Sequence, residues 1–186
     1  MRAFIAVALP DSVRGSLAEL QQQLRTAGAD VKWVAREQLH VTLKFLGGIT
    51  QEQRQGVEAL LKDIAKREAP FEISLREVGA FPSVAAPRVI WVGVERGREV
   101  VERLATAIER DTQRLEFPAE QRAFSAHVTL GRVRSGRNQR RLTEGLQSIT
   151  WQPPAPWRAG SLTCYRSTLS PVGPAYDVLA EVRLGA

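Results

Sequence analysis

The stretch Leu39-His40-Val41-Thr42-Leu43 recurs almost unchanged as Ala126-His127-Val128-Thr129-Leu130, close to half of the 186-residue chain further on. The chain contains 2 histidines, and each opens one of these two His-Val-Thr-Leu tetrads. Histidine is the side chain whose ordinary pKa best suits proton transfer near neutral pH. The repetition therefore predicts an internally duplicated fold that brings one proton carrier from each half to a shared site.

The tetrads have the pattern of strands with one polar and one apolar face. Neighbouring side chains in a strand alternate between faces, so His40 and Thr42 share one face and Val41 and Leu43 the other. The same holds for His127 and Thr129. If both polar faces line one cleft, that cleft holds two imidazoles and two hydroxyls.

This set of groups matches the needs of phosphate-ester cleavage. The reaction requires a general base, a general acid and donors to the phosphoryl oxygens. Two histidines in opposite protonation states supply the first two, and the threonines supply the third. A single His-x-Thr would be ordinary polar strand surface, so the repetition carries the prediction. Zinc usually takes three or four protein ligands, which two histidines do not provide, so we expect no metal and no cofactor.

Composition adds a partner class and a compartment. The net charge of +6 and pI of about 10.2 favour a polyanionic partner, and most of the basic residues are arginines. Cys164 is the only cysteine, which excludes a disulfide framework and fits a cytoplasmic protein. No apolar run approaches the roughly 20 residues of a membrane span, so we expect no membrane contact.

Strand and helix signals alternate along the chain without a low-complexity linker, which indicates an α+β fold in one domain, 1–186, of two similar lobes. Helices are expected from an Asp11 or Ser12 cap to Gly28, from a Thr50–Gln53 capping box, after Gly97, and over 138–149. An irregular connection is expected from Phe81-Pro82 to Pro87, and a turn over 170–174. The expected strands are 2–9, 31–34, 39–45, 71–75, 88–95, 124–133, 161–169 and 175–184.

With these motifs in place, the chain resembles the two-histidine (2H) phosphoesterase superfamily, and within it the RNA 2′,3′-cyclic phosphodiesterases, also called 2′-5′ RNA ligases. The resemblance extends over most of the chain. It implies a bilobal, pseudo-two-fold fold in which two antiparallel sheets line a central cleft, with helices outside. The matching stretches are Arg2–Ala6, Val31–Val34, Leu39–Gly47, Arg88–Val92, His127–Arg132, Tyr165–Ser167 and Pro171–Tyr176.

The resemblance also implies a reaction and roles. The family opens terminal 2′,3′-cyclic phosphates to 2′-phosphates without metal. By motif position, His40 would be the proton donor to the departing O3′ and His127 the proton acceptor from water. Thr42 and Thr129 would hold phosphoryl oxygens. Because the site is pseudo-symmetric, the sequence alone does not distinguish the acid from the base.

Arg132 and Phe45 are the candidate substrate-binding residues. Arg132 would neutralise phosphate charge, and Phe45, five residues after His40, would stack on a base. Strict alternation opposes both assignments, since it turns Arg132 away from His127 and places Phe45 in the core. Gly131 permits a bulge that would re-aim Arg132. Further candidates for backbone phosphates are Arg36, Lys44, Arg88 and Arg166, whereas Trp33, Trp91, Trp151 and Trp157 have the character of core residues.

Several functions are compatible with these residues. The leading hypothesis is a monomeric phosphodiesterase acting on RNA ends, either tRNA-like or short oligoribonucleotides, and on cyclic nucleotides. A variant is 2′-5′ joining, in which a ribose 5′-hydroxyl replaces water in the same site. The alternatives are a phosphodiesterase for a small cyclic-phosphate metabolite and an RNA-binding module without turnover.

Overall fold

A computed structural model describes residues 1–170 and 173–186. Within these residues, helices α1 to α4 span Asp11–Arg25, Gln51–Ala65, Arg98–Gln113 and Gln139–Ser148, and a 3-10 turn spans Arg36–Gln38. The strands β1 to β10 are Arg2–Ala8, Val31–Trp33, His40–Gly48, Phe71–Ile73, Leu75–Ser83, Ala86–Val94, His127–Val133, Trp157–Ala159, Ser161–Ser170 and Gly173–Arg183.

Eight of these strands form one antiparallel sheet in the order β10-β9-β1-β3-β7-β6-β5, with β2 paired to β7 as well. The two histidine strands, β3 and β7, meet in the middle at the residue pair Val41 and Val128. We call β10, β9, β1 and β3 the His40 lobe, and β7, β6, β5 and β2 the His127 lobe. The expected α+β fold with antiparallel sheets is confirmed.

The two lobes are not consecutive halves of the chain. Strands β9 and β10, near the C-terminus, extend the His40 lobe by pairing with β1. Strands β5 and β6, from the first half, extend the His127 lobe by pairing with β7. Each half of the sequence therefore supplies strands to the lobe that carries the other half's histidine.

The helices cover one face of the sheet. The apolar tetrad residues Val41, Leu43, Val128 and Leu130 are at most 5% exposed and share one hydrophobic cluster with the buried residues of all four helices. Helix α3 illustrates the pattern, with Val101, Leu104, Ala105 and Ile108 buried along one side. The histidines lie on the opposite face of β3 and β7. No helix among the described residues combines the length and apolarity needed to cross a membrane.

The structure confirms one of the two predicted helix caps. The Thr50–Gln53 capping box is present with both of its hydrogen bonds. The expected Asp11 or Ser12 cap is wrong, because α1 begins at Asp11 behind Pro10 and the Asp11 carboxylate accepts a hydrogen bond from Arg36.

The irregular connection expected from Phe81 to Pro87 is also wrong, because β5 continues to Ser83 and pairs with β6 there. Pro82 lies opposite Pro87 at the end of this hairpin, where missing ladder donors cost little. The short strand β8, which pairs with β4, was not expected at all. The expected turn over 170–174 includes Pro171 and Val172, which lie outside the described residues.

Candidate active site

The pairing of β3 with β7 places the four polar tetrad side chains on one face of the sheet. Val41 and Val128 lie directly opposite each other and point into the core. Their neighbours on each strand therefore point the other way. Continuing the register by one residue sets His40 beside Thr129 and His127 beside Thr42. The two polar tetrads that were expected to share a site therefore lie side by side where β3 pairs with β7.

Both imidazoles are anchored to the backbone in the same way. The Nδ1–H of His40 donates to the carbonyl of Gln38 at 2.6 Å, and the Nδ1–H of His127 donates to the carbonyl of Ser125 at 2.8 Å. In each case the acceptor is two residues before the histidine. A backbone carbonyl accepts but cannot donate, so this contact assigns the proton to Nδ1 in the neutral ring and leaves Nε2 for chemistry.

Aromatic rings surround each imidazole. Phe4 stacks on His40 with ring centroids 4.7 Å apart, and Tyr176 meets the same ring edge-on at 5.7 Å. Phe81 meets His127 edge-on at 5.2 Å, and Trp91 lies 6.4 Å from it. Trp91 was expected in the core, but it pairs with Thr129 and shares its face. The histidines therefore sit in apolar surroundings that limit the access of water.

These surroundings set the proton affinity of both rings. Burial lowers the pKa of His40, the Gln38 carbonyl opposes that change, and repulsion from His127 lowers it further. Burial likewise lowers the pKa of His127, the Ser125 carbonyl opposes the change, and the Arg132 guanidinium adds to the lowering. Both imidazoles therefore favour the neutral form more than an exposed histidine does.

Each tetrad has a bulge at its fourth residue. In β3, Thr42 pairs with Ala6 and Lys44 with Ile5, so Leu43 is an extra residue. In β7, Thr129 pairs with Trp91 and Gly131 with Ile90, so Leu130 is the extra residue. An extra residue reverses the alternation beyond it. The fifth residue after each histidine is therefore returned to the histidine face.

The twin bulges place Phe45 and Arg132 at the site. Phe45 is 64% exposed and lies 6.1 Å from the Phe4 ring that stacks on His40, so the core position favoured by alternation is wrong. Arg132 is exposed, and its charge lowers the pKa of both His127 and Tyr176, although burial raises the pKa of Tyr176 above its ordinary value. The guanidinium thus acts on groups of both lobes, and the bulge expected from Gly131 is present.

Each bulge is fixed by a polar contact from the helix side of the sheet. The buried Gln21 amide of α1 donates at 2.8 Å to the carbonyls of Leu130 and Val34. Lys44, in the other bulge, is 7% exposed and donates to Glu109 of α3 and to the Pro118 carbonyl. The expectation that Lys44 contacts phosphate is therefore wrong. Sequence reasoning missed Gln21, because nothing local marks a polar residue on an apolar helix face as a strand anchor.

The remaining candidates divide by their contacts. Arg36 and Arg166 are hydrogen-bonded to Asp11 and Asp177, and Arg88 is exposed on β6. In the described part of the chain, the Thr42 and Thr129 hydroxyls have no protein hydrogen-bond partner, so both can bind a ligand oxygen. Over the same residues, no group of three or more His, Cys, Asp or Glu side chains is positioned to hold a metal ion.

Known proteins are similar to this chain in sequence and in fold. A protein of Methanothermobacter thermautotrophicus named RNA 2′,3′-cyclic phosphodiesterase is 34% identical over 184 residues, covering 99% of each chain. The crystal structure of TT0787 of Thermus thermophilus superposes with a TM-score of 0.82 at 32% identity, covering 100% of this chain and 98% of that one. E. coli LigT complexed with 3′-AMP has the same fold, with a TM-score of 0.78 at 24% identity over 100% of this chain and 98% of that one.

A family model described as LigT like phosphoesterase matches the chain twice, over residues 7–91 and 92–176. Each match contains one His-Val-Thr-Leu tetrad, in agreement with the duplication expected from the repeated motif. The two matches together cover most of the sequence, and the chain is therefore a member of the LigT-like phosphoesterase family within the 2H phosphoesterase superfamily.

Proposed function

We propose that this protein hydrolyses the 2′,3′-cyclic phosphate at an RNA 3′ end to a 2′-phosphate, using His40 and His127 as the acid–base pair. The observation that carries the proposal is the matched anchoring of the two imidazoles. Each donates Nδ1–H to a carbonyl two residues upstream, on strands that meet between them. The names of the curated relatives supply the substrate class.

In this mechanism neutral His127 accepts a proton from water at Nε2, and the resulting hydroxide attacks phosphorus. The P–O3′ bond breaks, and protonated His40 donates its Nε2 proton to the departing O3′. The reaction therefore ends with His127 protonated and His40 neutral. Proton exchange with solvent then restores the starting state of both rings. Each proton transfer contributes on the order of 10²–10⁴-fold to the rate.

Arg132 supports the choice of His127 as the base, although burial lowers the pKa of His40, the proposed acid, as well. The Arg132 guanidinium lowers the pKa of His127 in addition to the larger effect of burial, which favours the neutral form that a base requires. The same guanidinium is available to the phosphoryl oxygens, whose negative charge grows during attack. The Thr42 and Thr129 hydroxyls lie beside the histidines of the opposite strands, where they would donate to those oxygens.

Phe45 and the His40 lobe aromatics would bind the terminal nucleoside. Phe45 is exposed beside Phe4, and Tyr165 and Tyr176 complete the group. Rings of this kind stack on bases with little sequence preference. We expect the protein to act as a monomer, because each chain supplies both histidines.

The test is product analysis with a short RNA ending in a 2′,3′-cyclic phosphate, in excess chelator, for wild type, His40→Ala and His127→Ala. Wild type alone should convert the end to a 2′-phosphate, identified by co-chromatography of the released nucleotide with authentic 2′- and 3′-isomers. Binding of the RNA without conversion would instead support an RNA-binding module. Activity that disappears with chelator would contradict the metal-independent mechanism.

A further inference from the structure

Strand β2 brings a second cation to the face that carries Arg132. Lys32 pairs directly with Arg132, Val31 with Val133, and the Arg134 N–H donates to the Asp30 carbonyl at 2.8 Å. Side chains of paired residues project to the same side of a sheet, as do residues two apart on one strand. Lys32, Arg132 and Arg134 therefore share one side, and we call these three residues the basic strip.

Burial supports this orientation. All three side chains of the basic strip are exposed, whereas the intervening Val31, Trp33 and Val133 are half-buried and pack against the core. The strip therefore lies on the histidine face of the His127 lobe. Since strands rise about 3.3 Å per residue, it extends roughly 7 Å beyond Arg132, away from the histidines.

The charges of the basic strip are not neutralised by nearby carboxylates. Across residues 1–170 and 173–186, none of its three cations has a carboxylate oxygen within 4 Å. Asp30 is the acidic residue that lies opposite Arg134 where β2 meets β7. Its carboxylate accepts a hydrogen bond from the Ser135 hydroxyl at 2.8 Å. Like charges directly opposite each other destabilise paired strands, so the Lys32–Arg132 pair is unfavourable for folding alone. A bound polyanion would relieve that repulsion.

The basic strip is continuous with the catalytic site through Arg132. The aromatic rings proposed to bind the base lie on the other side of the histidines, in the His40 lobe. A terminal nucleotide whose cyclic phosphate lies between the histidines and whose base stacks on those rings has one remaining connection, its 5′ oxygen. We propose that the basic strip binds the backbone phosphates of the single-stranded RNA immediately 5′ of the cyclic end. This inference rests on the proposed function and adds a preference for cyclic ends that carry further nucleotides on their 5′ side.

The test compares a 2′,3′-cyclic mononucleotide with a single-stranded tetranucleotide ending in the same cyclic nucleotide. We expect wild type to have a higher kcat/KM for the tetranucleotide, with an advantage that falls as salt rises. For single strands, each contacted phosphate contributes about −0.7 to the slope of the logarithm of the binding constant against the logarithm of the salt concentration. In the double variant Lys32→Ala/Arg134→Ala, the advantage and its salt slope should shrink, while kcat/KM for the mononucleotide stays unchanged. Arg132 is kept, because it belongs to the proposed catalytic machinery.

Two further variants make the result specific. Asp30→Asn removes the negative charge beside the strip but keeps an acceptor for Ser135, so it should raise kcat/KM for the tetranucleotide at low salt. Arg158→Ala removes an exposed cation from the small β4–β8 sheet and should leave both substrates unaffected.

The outcomes separate the two proposals. No turnover of the mononucleotide or the tetranucleotide by wild type would contradict the proposed function itself. Turnover of both substrates with no advantage for the tetranucleotide would overturn the basic-strip proposal alone. The basic-strip proposal would also be overturned if the double variant kept the higher kcat/KM for the tetranucleotide, or if Asp30→Asn lowered that advantage. A blunt duplex carrying the cyclic end that is cleaved as well as the single strand would also contradict it.

Discussion

At the scale of single residues, the site depends on where two histidine rings hold their protons. Both histidines were identified from the sequence, because the repeated tetrad marks them. The backbone carbonyls of Gln38 and Ser125, which fix their tautomers, could not be identified that way. A carbonyl is present at every residue, and only the local turn decides which one meets an imidazole.

Phe45 gives a direct prediction at this scale. Phe45→Ala should raise KM for cyclic nucleotides while changing kcat little, because the ring would bind the base without touching the phosphate. A lost stack costs roughly 1–3 kcal/mol. Since the side chain is 64% exposed, the melting temperature should be nearly unchanged. Phe45→Tyr keeps the ring and serves as the matched control. A large fall in stability in Phe45→Ala would show that the residue supports the core instead.

Arg132 gives a prediction about titration. Its guanidinium lowers the pKa of His127, so Arg132→Ala should raise that pKa and leave more His127 protonated at a given acidic pH. Arg132→Lys keeps the charge and should keep most of the lowering. NMR titration of the two imidazoles measures this without relying on activity, and His40→Asn assigns the signals. An unchanged His127 pKa in Arg132→Ala would show that the guanidinium does not act on this histidine.

At the scale of elements, the twin bulges decide what surrounds the histidines. Alternation correctly placed the four polar tetrad side chains and both tetrad leucines, but it failed from the fourth residue after each histidine onward. Gly131 signalled the second bulge, whereas Leu43-Lys44 gives no comparable signal in the first. The anchors of these bulges, Gln21 and Glu109, lie on helices distant in sequence, so local patterns could not identify either contact.

Gly131 provides the test at this scale. A Cβ at this position would lie 2.7 Å from Val31 Cγ1 and 3.0 Å from the Trp33 ring, so Gly131→Ala should force β2 away from β7. Overpacking of this kind costs about 1–3 kcal/mol. Because Lys32 lies on β2, the advantage of long RNA substrates should fall together with stability. Urea unfolding measures the free energy of unfolding. Gly160→Ala, where no atom lies within 4 Å of the added Cβ, should be close to neutral.

At the scale of the whole molecule, the strand exchange between lobes explains what the sequence could not predict. Most strands and all four helices follow from periodicity and capping. The pairing of β9 with β1 joins segments from opposite ends of the chain, and the pairing of β6 with β7 spans helix α3. Local patterns carry no information about such partners. The duplicated tetrad predicted a shared site without predicting which strands would build each lobe.

The burial of both histidines should appear in the pH dependence of stability. Their pKa values are lower in the folded protein than the ordinary value of about 6.5. Below about pH 6.5 the unfolded chain therefore binds more protons than the folded one, and the free energy of unfolding falls as pH falls toward the folded pKa values. The double variant His40→Gln/His127→Gln should lose this dependence below about pH 6.5. Carboxylates that ionise at lower pH, such as Glu109, should still cause acid unfolding in both proteins. Chemical denaturation at a series of pH values provides the comparison, and identical curves for the two proteins would contradict the prediction.

In the proposed mechanism, His40 protonates the leaving O3′ while His127 activates water. These two roles can be separated with a 2′,3′-cyclic phosphate analogue that has sulfur in place of O3′, because a thiolate leaves without protonation. We predict that His40→Ala, inactive on the oxygen substrate, regains much of its activity on the sulfur substrate, whereas His127→Ala stays inactive on both. Rescue of His127→Ala in place of His40→Ala would reverse the two roles. Equal activity of wild type and both variants on the oxygen substrate would contradict a two-histidine mechanism.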